Sequence, residues 1–111
     1  MRTRTSRARS RSPWACDVEP QSIVWDPAKA ISNLSKHDVD FQEAATVFRD
    51  PLLLVQADME HSQEEERWIA LGKSVKQLLL VVVHTEDEHT IRLISARRAE
   101  PRERRRYEQQ P

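Results

Sequence analysis

Residues 78–84 read Leu-Leu-Leu-Val-Val-Val-His, and residues 78–83 form the longest uninterrupted apolar run in the chain. Six apolar residues are far too few to cross a membrane. A strand with one face in water alternates apolar and polar residues, whereas this run is apolar at every position until His84. The run therefore predicts the central strand of a sheet that is covered on both faces.

Two further strands flank this run in the sequence. Residues 67–71 and 89–96 are rich in Ile and Leu, and turns at 72–77 and 86–88 separate them from the run. Strands that follow one another through short turns predict an antiparallel meander. Residues 52–55 read as a short extended piece ahead of it.

Two helices are predicted before the meander. Asp26 is a good N-cap and Pro27 suits the first helical position, which predicts a helix over residues 27–36. Asp40 caps a second helix, and Pro51 stops it.

A short β-favourable run at 22–25 opens the ordered part, and a Pro-initiated helix over 101–109 closes it. The predicted order is β-α-α-β-β-β-α. This order indicates an α+β fold, in which helices pack on a small antiparallel sheet.

The length of 111 residues allows one domain, predicted over residues 21–111. Residues 1–20 are rich in Arg and Ser, which predicts a disordered basic tail or a wrongly assigned start site. The single Cys16 excludes a disulfide scaffold and favours a reducing compartment, the cytoplasm.

The zero net charge hides a segregated distribution. Residues 1–13 carry +5, residues 14–91 carry −9, and residues 92–111 carry +4. A basic end of this kind indicates a polyanion or an acidic partner, although charged residues also solvate helix faces.

Several kinds of catalytic site are excluded. A chain with one Gly has no glycine-rich phosphate loop, and Cys16 lies in the predicted tail without a basic frame. The stretch from His84 to His89 matches no familiar zinc spacing and reads as an acidic turn. No metal and no cofactor are expected.

Basic and polar side chains at the ends of the predicted elements remain as candidates. An arginine within an apolar strand is costly unless it is paired or faces a ligand. For Arg67 and Arg92 taken singly, a salt bridge to one of the many acids, for example Glu66, is the plainer interpretation. Together these groups suit RNA cleavage without a metal, because arginines bind phosphate oxygens and a His, Lys, Tyr or Glu moves protons. The candidates are Lys36, His37, Arg67, Arg92, Ser95, Arg97 and Tyr107.

The chain resembles BrnT-family toxins in a series of short motifs that occur in order over residues 22–108. Each motif alone is weak, but their common order is specific. They are Trp25-Asp26-Pro27, Ser35-Lys36-His37, Asp40-Phe41-Gln42-Glu43, Phe48-Arg49-Asp50-Pro51, Glu65-Glu66-Arg67, Leu71-Gly72, Val82-Val83-His84-Thr85, Ile91-Arg92-Leu93-Ile94-Ser95-Ala96-Arg97, Glu103-Arg104 and Tyr107-Glu108.

The resemblance implies a type II toxin–antitoxin toxin with a RelE-like ribonuclease fold that arrests translation. It implies inhibition by a BrnA-type antitoxin, whose ribbon-helix-helix domain binds promoter DNA and would give a 2:2 complex. By position, Arg67, Arg92 and Arg97 would bind phosphate, His37 or Lys36 would transfer protons, and the remaining candidates would surround the site.

The chain departs from the family pattern at two places, and two other functions stay open. Asp38 stands where the family commonly has Gly, and Asp tolerates the left-handed conformation better than most residues. Residues 1–20 lie outside the pattern. The alternatives are a non-catalytic RNA-binding or co-repressor module and an inactive toxin kept as a partner for its antitoxin.

Overall fold

The apolar run lies in the middle strand of a five-stranded sheet. The structure, a computed structural model, describes residues 22–60 and 66–110, so the predicted tail at 1–20 lies outside the described residues. The strands are β1 (Ser22–Trp25), β2 (Leu54–Ala57), β3 (Trp68–Lys73), β4 (Leu79–Glu86) and β5 (Thr90–Arg98). Their spatial order is β1-β5-β4-β3-β2, which confirms the central position of the run.

The α+β class is confirmed, with two differences in the sheet. The short piece predicted at 52–55 is a full edge strand, β2, which pairs antiparallel with β3. The predicted order therefore holds one strand too few. β1 runs parallel to β5, because the first two helices return the chain across the sheet.

The helices are α1 (Pro27–His37), α2 (Phe41–Ala45) and α3 (Pro101–Glu108), and a 3-10 turn at Thr46–Arg49 extends α2. Asp26 caps α1 as predicted, because its Oδ1 accepts a hydrogen bond of 2.9 Å from the N–H of Ala28. Asp38 ends α1 in the left-handed conformation, with φ of 58°. Asp thus occupies the conformation that suits Gly.

The strands divide their side chains between two faces of the sheet. Val82, Leu93 and Ala96 belong to the main core with α2 and the 3-10 turn, and Ala30 of α1 packs against this core. Val81 belongs to a smaller cluster on the opposite face, under Tyr107 of α3. This alternation places α1 and α2 on one face and α3 on the other.

Asn33 ties α1 to β5 where β1 ends. β1 pairs with β5 only as far as Leu93. Beyond that point, the Asn33 side chain donates to the carbonyl of Ala96 and accepts from its N–H, both at 2.9 Å. The amide thereby takes the place of a neighbouring strand, and it is only 5% exposed.

Gly72 lies inside β3, whereas the sequence predicts a turn from 72 to 77. A Cβ at this position would lie 2.7 Å from Leu53 Cδ1 and 3.3 Å from the carbonyl oxygen of Val47. A side chain here would crowd the carbonyl of Val47 and displace Leu53, so close packing favours glycine, and the turn begins two residues later. Gln77 provides the positive φ of that turn, 67°.

Candidate active site

A cleft of about 260 Å³ lies on the face of the sheet that carries α3. Its floor is apolar, and its walls are polar. The floor consists of Leu54, Ile69, Leu71, Val81 and Val83. The walls consist of Gln56, Asp58, Glu60, Ser95, Arg97, Glu103 and Arg106.

The strand register sets the width of this cleft. Ser95 pairs with Val83, Val83 with Ile69, and Ile69 with Gln56. The polar groups of β5 and β2 therefore face each other across two apolar strands. At about 4.8 Å between neighbouring strands, the backbones of these two walls lie about 14 Å apart.

An irregularity in β5 sets which residues reach this cleft. Val83 pairs with Ser95, while the next residue, His84, pairs with Leu93. Ile94 is therefore the extra residue of a bulge. The bulge keeps Leu93 and Ala96 in the core and turns Ser95 toward the cleft.

Arg97 and Glu103 form a two-pronged ion pair in the wall. Arg97 Nη1 donates to Glu103 Oε1 at 2.9 Å, and Nη2 donates to Oε2 at 2.7 Å. These hydrogen bonds lower the pKa of Glu103 and raise the pKa of Arg97, against the opposing effect of burial. The two side chains are 38% and 23% exposed, so a ligand in the cleft can reach both.

The start of α3 fixes the carboxylate of Glu103. Glu103 is the third residue of the helix, and its Oε1 also accepts from the N–H of Glu100 at 2.8 Å. Only Ala99 and Glu100 separate the end of β5 from Pro101, which starts the helix. The short connection therefore holds the carboxylate beside the end of the strand that carries Arg97.

α3 spans the cleft from β5 to β2. Arg106 lies one turn beyond Glu103, and its Nη2 donates to Oε1 of Gln56 at 2.8 Å. The helix is thus attached at Arg97 on one side and at Gln56 on the other. These two contacts close one end of the cleft.

Tyr107 anchors α3 rather than lining the cleft. Its hydroxyl donates to Asp50 Oδ2 at 2.5 Å, and the same oxygen accepts from the N–H of Lys73 at 2.8 Å. Burial, together with the hydrogen bond and charge of Asp50, raises the pKa of Tyr107 to about 12. The side chain of this candidate is committed to a structural contact.

The structure brings together only some of the predicted residues. Ser95 and Arg97 lie in the cleft wall. Arg92 is exposed, and its position between the core residues Ile91 and Leu93 places it on the cleft face. The carbonyl of Arg67 accepts from the N–H of Asp58 at 2.8 Å, so Arg67 is adjacent to the opposite wall.

Lys36 and His37 lie elsewhere, at the exposed end of α1. α1 is on the other face of the sheet, and neither residue is among the described residues that line the cleft. Their role in proton transfer stays a prediction.

Glu103, Arg106 and Gln56 are cleft residues that the sequence reasoning did not select. The signal for Glu103 is its position as the third residue after the N-cap of a Pro-initiated helix, where a Glu side chain turns back toward the preceding chain. The sequence does not distinguish Arg106 from the other arginines of α3. Gln56 can be identified as a cleft residue only once the pairing of the strands is known.

The stretch from His84 to His89 provides a core residue. His84 is buried, its Nε2 contacts Glu86 Oε2 at 2.9 Å, and its ring packs edge-on against Phe48 at 5.0 Å. Within residues 22–60 and 66–110, no group of three His, Cys, Asp or Glu side chains is placed to hold a metal ion.

Comparison with known proteins identifies the class. Residues 25–103 match the model of a family described as the ribonuclease toxin BrnT of type II toxin–antitoxin systems. The class is therefore that of toxins that act with an antitoxin partner. The chain belongs to the BrnT family, which confirms the resemblance in its motifs.

The fold is similar to a solved toxin structure. The crystal structure of the Brucella abortus ribonuclease toxin BrnT matches with a TM-score of 0.54 and 20% identity, over 72% of this chain and 97% of the Brucella chain. No curated protein matches the chain. None of the helices in the part of the chain that the structure describes is long and apolar enough to span a membrane.

Proposed function

We propose that this chain is an endoribonuclease that cleaves RNA in the cleft without a metal ion and thereby arrests translation in the cytoplasm. The observation that carries the proposal is Arg97, a partly exposed guanidinium in the wall of an apolar-floored cleft. Such a planar fork binds two phosphate oxygens at once. The description of the family as a ribonuclease toxin supports the proposed activity.

The proposed reaction uses the 2′-hydroxyl of RNA as an internal nucleophile. Arg97 binds the phosphate and stabilises the charge that develops on it, because a fixed donor is effective where charge appears in the transition state. Arg92 and Arg67 extend the phosphate-binding surface on either side. Tyr107 contributes by holding α3 in place.

If His37 or Lys36 transfers protons, the bound RNA must reach from the cleft to the end of α1 on the other face of the sheet. The strand that carries Arg97 meets α1 at the contact between Asn33 and Ala96. RNA bound in the cleft would have to pass around this edge of β5 to reach the end of α1. Replacement of His37 by Ala tests this route, because cleavage should fall while RNA binding persists.

The proposed partner is a BrnA-type antitoxin with a ribbon-helix-helix domain, in a 2:2 complex that binds promoter DNA. The family implies an antitoxin. The outer edges of β1 and β2 and the arginine-rich surface of α3 are the proposed docking places, since strand addition and helix docking both use such surfaces.

The experiment is a cleavage assay with the purified full chain, mixed-sequence RNA and excess chelator. Cleavage should proceed in chelator, and Arg97→Lys should reduce it by about 10-fold or more, because Lys keeps the charge but loses the fork. Arg104→Lys, on α3 and outside the cleft, is the matched control and should cleave normally. Activity that disappears with chelator and returns with magnesium or zinc would overturn the metal-free mechanism. RNA binding without cleavage would favour the binding module or the inactive toxin.

A further inference from the structure

The fork of Arg97 is occupied by a carboxylate in the free protein. Both oxygens of Glu103 accept from its two terminal nitrogens. A phosphodiester presents two oxygens in a similar arrangement. A phosphate that binds Arg97 through both terminal nitrogens therefore takes the donors that Glu103 now holds.

Glu103 does not leave the cleft when this exchange takes place. Its Oε1 also accepts from the N–H of Glu100, at the first turn of α3. α3 is itself anchored through Tyr107 to Asp50 and through Arg106 to Gln56. A carboxylate released from Arg97 therefore remains beside the phosphate that replaced it.

The pKa of Glu103 depends on whether its carboxylate or a phosphate is bound to Arg97, because of the charges around it. Arg97 from β5 and Arg106 from α3 favour the ionised carboxylate, while Glu100 lies at the start of the same helix, and Asp58 and Glu60 lie across the cleft. Paired with Arg97, Glu103 has a lowered pKa and accepts protons poorly. Removal of this pairing, beside a phosphate anion, favours the protonated form.

We propose that Glu103 is a catalytic residue that accepts the 2′-hydroxyl proton after the scissile phosphate has taken over Arg97. This inference rests on the proposed function, and it assigns the general base of the proposed RNA cleavage. It adds a carboxylate to the predicted proton-transfer groups, and this carboxylate shares the cleft with the phosphate-binding arginine.

The step balances as an internal transfer. The proton of the 2′-hydroxyl passes to Glu103, the 2′-oxygen forms a bond to phosphorus, and the bond from phosphorus to the 5′-oxygen breaks. The 5′-oxygen leaves with the bonding electron pair and takes a proton from a general acid, the role that this assignment leaves to His37 or Lys36. The products are a 2′,3′-cyclic phosphate end and a 5′-hydroxyl end, and Glu103 returns its proton to solvent.

The test compares Glu103→Gln with Glu108→Gln in the full chain. Gln preserves the shape of the side chain and can still accept the bond from Glu100, but it cannot take up the proton. Glu108→Gln removes the same charge from an exposed position on the same helix, outside the cleft. The measurements are single-turnover cleavage of mixed-sequence RNA against pH, binding of the uncleavable 2′-O-methyl RNA, and thermal melting.

Glu103→Gln should cleave at least about 100-fold more slowly than wild type, as expected when a general base is removed. It should bind 2′-O-methyl RNA as tightly as wild type or more tightly, because Arg97 is no longer neutralised by a carboxylate. The decline of the cleavage rate at acidic pH should disappear from its residual activity. Glu108→Gln should behave as wild type in all three measurements.

Three results would overturn the inference, and they separate its failure from that of the proposed function. If wild type cleaves RNA and Glu103→Gln cleaves within about threefold of it, Glu103 is not the base although the proposed function stands. The same conclusion follows if cleavage and melting temperature fall with no change in the pH profile. If wild type forms no cyclic phosphate ends from any RNA, the proposed function fails, and this inference fails with it.

Discussion

At the scale of single residues, Asp50 explains why three separate motifs occur together in the sequence. Its carboxylate accepts from the N–H of Leu52, from the N–H of Lys73 and from the hydroxyl of Tyr107. A Cβ on Gly72 would lie only 3.4 Å from its Oδ2. The Asp-Pro, Leu-Gly and Tyr-Glu motifs therefore describe one partly buried contact that holds α3 on the sheet.

This contact predicts how stability depends on alkaline pH. The pKa of Tyr107 is about 12, above its ordinary value of 10.0, so the folded state favours the protonated phenol. Its contribution is fully present below about pH 10 and is lost as the pH rises through about 12. Urea unfolding between pH 8 and 12 should show this loss in wild type, and Tyr107→Phe should remove this component while lowering the stability at pH 8 by about 1–3 kcal/mol.

Tyr107 is the single tyrosine of the chain, so the absorbance of tyrosinate reports on it alone. The absorbance should titrate near pH 12 in folded protein and near pH 10 in urea. A titration near pH 10 in both conditions would contradict the buried contact.

Single residues of the cleft differ in how far the sequence alone could identify them. Arg97 and Ser95 are identifiable from their place at the end of a predicted strand and from the family motif that contains them. The partner of Arg97 is Glu103, whereas the sequence suggests Glu66 as an ion-pair partner for Arg67 or Arg92. Gln56 could not be found, because only the pairing of β2 with β3 brings it across the cleft.

At the scale of elements, strong local signals determined what was predictable. The all-apolar run gave the central strand, and Asp26 with Pro27 gave the start of α1, because each signal acts within a few residues. β2 was underestimated because it is a short edge strand whose existence depends on pairing with β3. The position of β1 beside β5 is a long-range contact with no local signal.

The turn after β3 begins later than the sequence predicts, again because a long-range contact decides the structure. Gly72 looks like a turn residue in the sequence, but it is set by contacts with Leu53 and Val47 from distant segments. Glu43 also makes a distant contact, since its Oε2 accepts from the hydroxyl of Ser74 at 2.7 Å. Local patterns alone do not contain such information.

The junction of α1 and β5 gives a prediction at this scale. Asn33→Ala removes both hydrogen bonds to Ala96 and the bond to the carbonyl of Val39, which leaves buried backbone groups without partners. The free energy of unfolding should fall by about 3 kcal/mol. Ser32→Ala, one residue earlier on the exposed side of α1, should change it by less than about 0.5 kcal/mol. Equal small effects of both variants in urea unfolding would show that the amide does not replace a strand neighbour.

At the scale of the whole molecule, charge is divided along the chain. Residues 14–91 carry −9, while residues 92–111 carry +4, and the basic part includes Arg97, α3 and the exposed Arg98. An antitoxin that blocks the RNA site has to cover this basic side. An acidic antitoxin segment is therefore the expected complement.

Co-expression with the product of an adjacent antitoxin gene should yield a stable complex that binds promoter DNA, whereas the toxin alone should not. The association rate of toxin and antitoxin should fall as salt rises from 50 to 500 mM, because ions screen the attraction between charged surfaces. Stopped-flow mixing measures this rate. Tight promoter binding by the toxin alone, with no response to the antitoxin, would contradict this assignment.

An NMR titration of the full chain with 2′-O-methyl RNA, which binds without being cleaved, shows whether RNA binds in the cleft on the α3 face of the sheet. The amide signals that move most should belong to Ser95, Arg97, Ile69 and Glu103, and the signal of Glu108 should be little affected. Shifts confined to α1 and α2, on the opposite face, would contradict it.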